Sequence, residues 1–296
     1  NGDIMRIDGG KKVWEIDADE PLSGGVGADD RLVVVGTRKG EILAFAAADG
    51  ALQWKARATS EMLAPPALGN DVVVARTADN RLTAYDAATG KRKWVYQRPM
   101  PALALRSTTG PIIDEGHVFA GFPGGKLVAI NSSNGAAVWE GTVAVPRGVT
   151  ELDRIADITS PPVIVNDTIC AVAFQGRLAC FELRGGSQIW ARDVSSAVGL
   201  TIDGRHLYVT DDKDAVHALD LSSGASLWKQ DKLAKRRVSA PIVQSGKVAV
   251  ADGQGIVHFL SQDDGAFIAR VPTDGSPILA RPQALGANLV VQTNRG

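Results

Sequence analysis

The sequence predicts an all-β protein, a β-propeller of four-stranded antiparallel blades, and three observations predict it. A long unit is written repeatedly: residues 36–57, GTRKGEILAFAAADGALQWKAR, return at 76–97 as RTADNRLTAYDAATGKRKWVYQ. A tryptophan closes each unit, at Trp14, Trp54, Trp94, Trp139, Trp190 and Trp228, with Ala269 in the seventh place, and the spacings are 40, 40, 45, 51, 38 and 41. Within units apolar positions alternate and Gly turns recur roughly every 8–12 residues, while no window sustains a 3.6-residue period.

The elements of a unit follow in order. An apolar run rich in Val comes first, then a short polar turn and a second strand ending in Ala plus an aromatic or aliphatic residue. Asp or Asn, a Gly turn and the Trp complete it. The copies read GDIMRIDGGKKVW, GEILAFAAADGALQW, NRLTAYDAATGKRKW, GKLVAINSSNGAAVW, GRLACFELRGGSQIW and DAVHALDLSSGASLW, with a degenerate GIVHFLSQDDGAFIA after them. A four-stranded unit of about 40 residues is the period of a propeller blade. One small twisted sheet cannot bury both faces alone, so blades stack and share a core. Each Trp is expected to wedge between blades with its N–H on a backbone carbonyl. Burying ~150–250 Å² per ring contributes roughly 4–6 kcal/mol gross. Six units are complete. The N-terminal stretch supplies the last two strands of a blade, and 277–292 (PILARPQALGANLVVQ) the first two. Those halves either join into a seventh blade or belong to different blades of an eight-membered ring. One propeller domain is expected over residues 1–296.

Lys and Arg number 32 against 33 Asp and Glu, a net charge of −1. Phosphate binding needs a concentrated basic surface, so nucleic acid is not the expected partner. No stretch approaches the ~20 apolar residues of a spanning helix. The chain opens at Asn1 on a repeat-like segment, which reads as a mature or trimmed start without a targeting segment. Cys170 and Cys180 lie in adjacent strands of one hairpin, TICAVAFQGRLACF. A cross-strand bond is open to them. Because Cys180 shares a column with Ala44, Ala84, Ala129 and Ala218, and Cys170 with Val34, Val74 and Phe119, a buried thiol is the simpler expectation.

Catalytic constellations are not found. His117, His206, His217 and His258 sit in or beside strands without metal-ligand spacing, and are expected to be partly buried repeat residues. There is no GxSxG, P-loop or HExxH, and FPGGK is a hairpin turn rather than a phosphate cradle. The recurrent Asp/Asn-x-x-x-Gly carboxylates and amides are expected to cap turn amides. KLAKRR (232–237) is expected to be a solvated loop, with contact to an acidic partner or lipid headgroups the lesser reading.

Departures from the repeat carry more. The Pro that opens the next blade follows Trp54 by 11 residues (Pro65), Trp94 by 17 (Pro111) and Trp139 by 22 (Pro161). Two neighbouring crossings from outermost to innermost strand are therefore enlarged, and both should emerge on one face. Scaffolds carry function on such loops. QRPMPALALRSTTG and VPRGVTELDRIADITS place Leu103, Leu105, Leu152 and Ile155 among Arg106, Arg154, Asp153 and Asp157. Apolar anchors rimmed by charge suit a protein–protein site, unless the leucines fold back onto the blade edge.

The repeat resembles that of the quinoproteins, the PQQ-type propellers. With the inserted PALALR (101–106) and TELDRIADITSPPVIVN (150–166), the whole chain resembles the BamB family, the propeller lipoproteins of the outer-membrane β-barrel assembly machinery. The resemblance implies an eight-bladed propeller with PQQ-like repeats, one blade region being incomplete in this chain. It implies a non-enzymatic scaffold without cofactor or metal, on the periplasmic face of the outer membrane, lipid-anchored in the precursor. The implied partner is BamA, through a POTRA domain, with unfolded outer-membrane proteins as further partners. Its partner-binding positions fall on Leu103, Leu105, Arg106 and Asp157; a second acid two positions later is replaced by Thr159. The alternatives are a quinone-dependent dehydrogenase, which shares the repeat, and a propeller adaptor for another periplasmic partner. Dehydrogenases of that kind carry a longer chain, a vicinal Cys-Cys pair and acid and amide ligands for calcium; no Cys-Cys occurs here.

Overall fold

The computed structural model describes residues 2–105 and 108–295. Among them are 28 strands and no helix. The chain divides into two compact units, Asn1–Pro123 with Leu127–Glu140, and Gly124–Lys126 with Gly141–Gly296.

The first unit opens with the two-stranded sheet β1 (Asp3–Asp8) and β2 (Lys11–Asp17). Two antiparallel four-stranded sheets follow. One is β3 (Leu22–Ala28), β4 (Leu32–Thr37), β5 (Glu41–Ala46) and β6 (Leu52–Arg57); the other is β7 (Ala67–Gly69), β8 (Val72–Arg76), β9 (Leu82–Asp86) and β10 (Arg92–Tyr96). The next sheet is β11 (Ile112–Asp114), β12 (His117–Phe122), β13 (Lys126–Asn131) and β14 (Ala137–Thr142), with the tips of β13 and β14 counted in the second unit.

The second unit continues with β15 (Val163–Val165), β16 (Thr168–Val172), β17 (Leu178–Glu182) and β18 (Gln188–Arg192). Then come β19 (Leu200–Asp203), β20 (His206–Thr210), β21 (Val216–Asp220) and β22 (Ser226–Gln230), followed by β23 (Ile242–Gln244), β24 (Lys247–Ala251), β25 (Ile256–Ser261) and β26 (Phe267–Pro272). The hairpin β27 (Gln283–Leu285) and β28 (Asn288–Val290) ends it. In every four-stranded sheet the strands lie side by side in chain order. Among the described residues β1–β2 and β27–β28 form separate two-stranded sheets.

The second strand of each four-stranded sheet is buried along most of its length, which is why it reads as a continuous apolar run: β4 is LVVVGT and β8 is VVVAR. Its two faces feed different clusters. Val73 and Ala75 join Val34 and Ile42 of the preceding sheet, whereas Val72 and Val74 join Val118, Ala120 and Phe122 of the following one. The second unit repeats this: Leu207 and Val209 pack with Cys170 and Val172, and Tyr208 packs with Val248 and Val250. Fourth strands are largely exposed except at the Trp.

The wedges are as expected. Trp14, Trp54 and Trp94 donate their indole N–H to the carbonyls of Ala47 (2.9 Å), Ala87 (2.8 Å) and Ser132 (2.7 Å) in the next sheet. Trp190 and Trp228 do the same to Leu221 and Gln262, both at 2.7 Å. A β-bulge follows the residue opposite the ring, as between Cys180 and Phe181 and between Ala218 and Leu219, and re-aims the outer strand. The turn carboxylates cap as expected: Asp220 accepts from the amides of Ser222 (3.1 Å) and Ser223 (2.9 Å). The hydroxyls of Ser222 and Ser223, with those amide bonds, hold the Asp220 carboxyl down at about 2.

The cysteines correct the simpler expectation. Cys170 and Cys180 are directly paired across β16 and β17, with Cα atoms 4.1 Å apart, and form a disulfide inside the core. A facing pair brings the two side chains together whatever the columns of other repeats hold. Replacing the pair with the residues other repeats keep, Cys170→Val with Cys180→Ala, should preserve the fold and remove about 2–3 kcal/mol, the chain-entropy value for so short a loop. Urea unfolding of the two forms measures it; equal midpoints would mean the crosslink contributes nothing.

Candidate functional site

The first enlarged connection joins β10 to β11 and belongs to the first unit. Arg98, at its start, pairs with Glu140. Met100 is exposed, Leu103 is 44% exposed, and Leu105 is half-buried. Leu103 therefore does not fold back onto the sheet edge. Arg106, expected from sequence to supply the charge of this loop, lies outside the described residues.

The second connection, from β14 to β15, belongs to the second unit and has two parts. Its outer part displays apolar side chains: Val145 and Leu152 are exposed, and Val149 is 92% exposed. A single helical turn shapes it. The Thr150 hydroxyl donates to Asp153 Oδ2 (2.7 Å), while the Asp153 amide donates back to that hydroxyl (3.2 Å). The Thr150 hydroxyl, with its amide, holds the Asp153 carboxyl below its usual range. Arg154 Nε closes the turn onto the Gly148 carbonyl at 3.2 Å. Gly148, at φ +140°, is required there, since a Cβ would come within 2.1 Å of Asp153 Cβ.

The inner part is an anchor. Ile155, Ala156 and Ile158 are buried, and Ile155 does fold back. Asp157 is only 1% exposed; its Oδ1 accepts the Gly124 amide at 3.0 Å and its carbonyl accepts the Phe174 amide at 2.8 Å. An acidic residue in an exposed-looking loop is thus sunk into the sheet end, where FPGGK supplies a turn amide. Gln175 completes the anchor: its side-chain nitrogen reaches the carbonyls of Ile155 (3.0 Å) and Leu152 (3.1 Å). Thr159, where a second acid was expected, donates its hydroxyl to the Ala197 carbonyl at 3.1 Å. A carboxylate there would face that carbonyl without a proton to offer. Sequence reasoning missed Gly124 and Gln175, because their roles depend on which turns meet the loop.

Other chemistry at this end of the second unit is structural. Among the described residues no three His, Cys, Asp or Glu side chains gather where a metal could be held. His217 and His258 each place Nε2 on the Asp of their own turn, Asp211 (2.8 Å) and Asp252 (2.7 Å), a pairing their strand positions did not disclose. KLAKRR is tied down as well as solvated: Leu233 is buried, and Arg236 Nε donates to Asp252 at 2.6 Å. Burial opposes ionisation of Asp252, yet the donors from His258, the Ile256 amide and Arg236 hold it below its usual range. Burial also lowers His258, and Arg236 and Arg270 reinforce this against the opposing Asp252.

Both depressions act with one sign. Below about pH 6.5 the unfolded chain takes up a proton that folded His258 resists, and nearer pH 4 protonation of unfolded Asp carboxyls adds to it. Stability should fall on acidification from pH 7 to 5. His258→Gln, which keeps a donor but cannot titrate, should flatten the decline. Melting temperatures across that range measure it, and parallel declines would assign the effect elsewhere.

A family model described as outer membrane protein assembly factor BamB matches residues 1–230. The BamB of Bordetella pertussis is 45% identical over 100% of this chain and 77% of its own length. That of Escherichia coli is 30% identical over 99% and 77%. Among solved structures, BamB from Moraxella catarrhalis superposes with a TM-score of 0.92 at 28% identity, covering 99% of this chain and 88% of that one. A quinohemoprotein alcohol dehydrogenase from Pseudomonas putida reaches 0.74 at 13% identity over 95% and 65%, a likeness of fold alone.

Proposed function

Because the chain belongs to the BamB family of outer membrane protein assembly factors, a β-propeller family with PQQ-like repeats, we propose that it is a non-enzymatic scaffold of that machinery. In this reading it docks on the POTRA region of BamA and supports the folding and insertion of outer-membrane β-barrels. The observation that carries the reading is the identity to named assembly factors across the full chain. Leu103 and Leu105 are the proposed apolar contacts and Arg106 the charged one. Asp157 serves the second connection from beneath, by holding it to the Gly124 turn.

The same reading makes residues 1–296 one propeller domain of the eight-bladed type, in which β1–β2 and β27–β28 belong to different blades. It places the chain on the periplasmic face of the outer membrane, tethered through a lipid in the precursor. The Cys170–Cys180 disulfide supports an oxidising compartment. Mixing the purified chain with the POTRA domains of BamA tests the reading: a stable complex is expected in size-exclusion chromatography, and two separate peaks at micromolar concentrations would overturn it.

A further inference from the structure

Equivalent positions of the sheets can be read from the strand registers. The last pair of second and third strands is Gly36 with Ile42, Arg76 with Leu82, Val172 with Leu178, Thr210 with Val216, and Ala251 with Val257. Among these places only Arg76 carries a charge, and it is 2% exposed. Four residues on, the same sheets hold Gly40, Asn80, Gly176, Asp214 and Gly255. Both departures, Arg76 and Asn80, occur in the sheet whose outer strand runs into the first enlarged connection.

The two side chains meet, and together they reach both ends of that connection. Arg76 Nη2 donates to Asn80 Oδ1 at 2.6 Å, and Asn80 Nδ2 donates onward to Met100 Sδ at 3.1 Å, on the entering stem. Arg76 Nη1 donates to the Thr109 carbonyl (3.2 Å) on the leaving stem and to the Gly121 carbonyl (2.7 Å) of β12. The guanidinium lies 5.1 Å from the centroid of the buried Phe122 ring. A planar fork in low dielectric fixes direction where a lysine would not. Burying an arginine is costly, and the repeat shows that the blade closes without one.

We propose that Arg76 is a positioning residue which, through Asn80, fixes the stems of the first connection so that Leu103 and Leu105 are presented in a binding geometry. The proposal rests on the interface reading above. Held stems lower the ordering cost of docking, so losing them weakens affinity without removing a contact.

The test uses the full chain with Asn80→Gly, the residue most equivalent places hold and one suited to the φ of +59° there. Arg76→Met is the second variant. Asn80→Gly removes an acceptor of a buried guanidinium and should lower the melting temperature modestly, with the chain still folded at the assay temperature. It should speed amide exchange of residues 99–105 about tenfold and weaken binding to the POTRA domains of BamA about tenfold. In a Leu105→Ala background the further loss should shrink, because both act through one loop. Exchange at the parent rate, or faster exchange with unaltered affinity in both variants, would overturn the proposal. Weakened binding by Leu105→Asp with none by Asn80→Gly removes this proposal alone; unaltered binding by Leu105→Asp removes the interface reading and this proposal with it.

Discussion

Trp94→Ala should cost about 3–5 kcal/mol, the range for truncating a buried aromatic and leaving a cavity. The ring is buried in the cluster that joins β8 and β9 to β12 and β13, and its N–H is committed to Ser132. Collapse around it is blocked by geometry. Gly135 sits over the ring at φ +77°, where a Cβ would come within 2.8 Å of it, so the turn already lies as close as backbone can. Removing the indole therefore leaves a void on one side and an unpaired Ser132 carbonyl on the other. Chemical denaturation of parent and variant decides it, and equal midpoints would show that the ring is not core. The seventh place behaves differently. In four of the four-stranded sheets Trp stands opposite a small residue, Ala44 with Trp54, Ala84 with Trp94, Cys180 with Trp190 and Ala218 with Trp228. There Phe259 stands opposite Ala269, so large and small have exchanged sides of one pair. Substituting Ala269 should accordingly cost far less than losing Trp94.

Most of this architecture was legible because strand periodicity, turn glycines and tryptophans are local and repeat. Ala269 looked like a degenerate unit for the same reason: comparison down a column misses compensation across a strand pair. The disulfide was half legible. Hairpin register brings Cys170 and Cys180 face to face, but whether facing thiols bond depends on side-chain approach and surroundings rather than spacing. Asp157 was the harder case. Charge pattern suggested a rim residue, whereas the amide that draws it inward belongs to a turn 33 positions away. Arg76 was discoverable in principle, since a charged residue in a column of small or apolar ones is visible without coordinates. What it grips is a matter of tertiary placement.

Leu105→Asp should abolish co-purification with BamA while leaving the melting temperature nearly unchanged. Docking a leucine contributes roughly 1.5–3 kcal/mol by area, and an unpaired carboxylate forced into the contact opposes binding by a further ~2–5 kcal/mol. Together these weaken association by a factor of several hundred or more. Arg106→Ala should act in the same direction through loss of a charged hydrogen bond. Lys91→Ala, in the turn at the opposite end of β10, should do nothing. Asp157→Ala separates contact from anchor. Its carboxylate is buried against the Gly124 amide, so truncation should cost about 1.5–3 kcal/mol of stability, the range for a hydrogen bond to a charged group, and weaken binding as the connection loosens. A leucine variant that binds like the parent, or fails only because it unfolds, would make the loop structural. An Asp157 variant that loses binding with an unaltered melt would return that carboxylate to the contact surface.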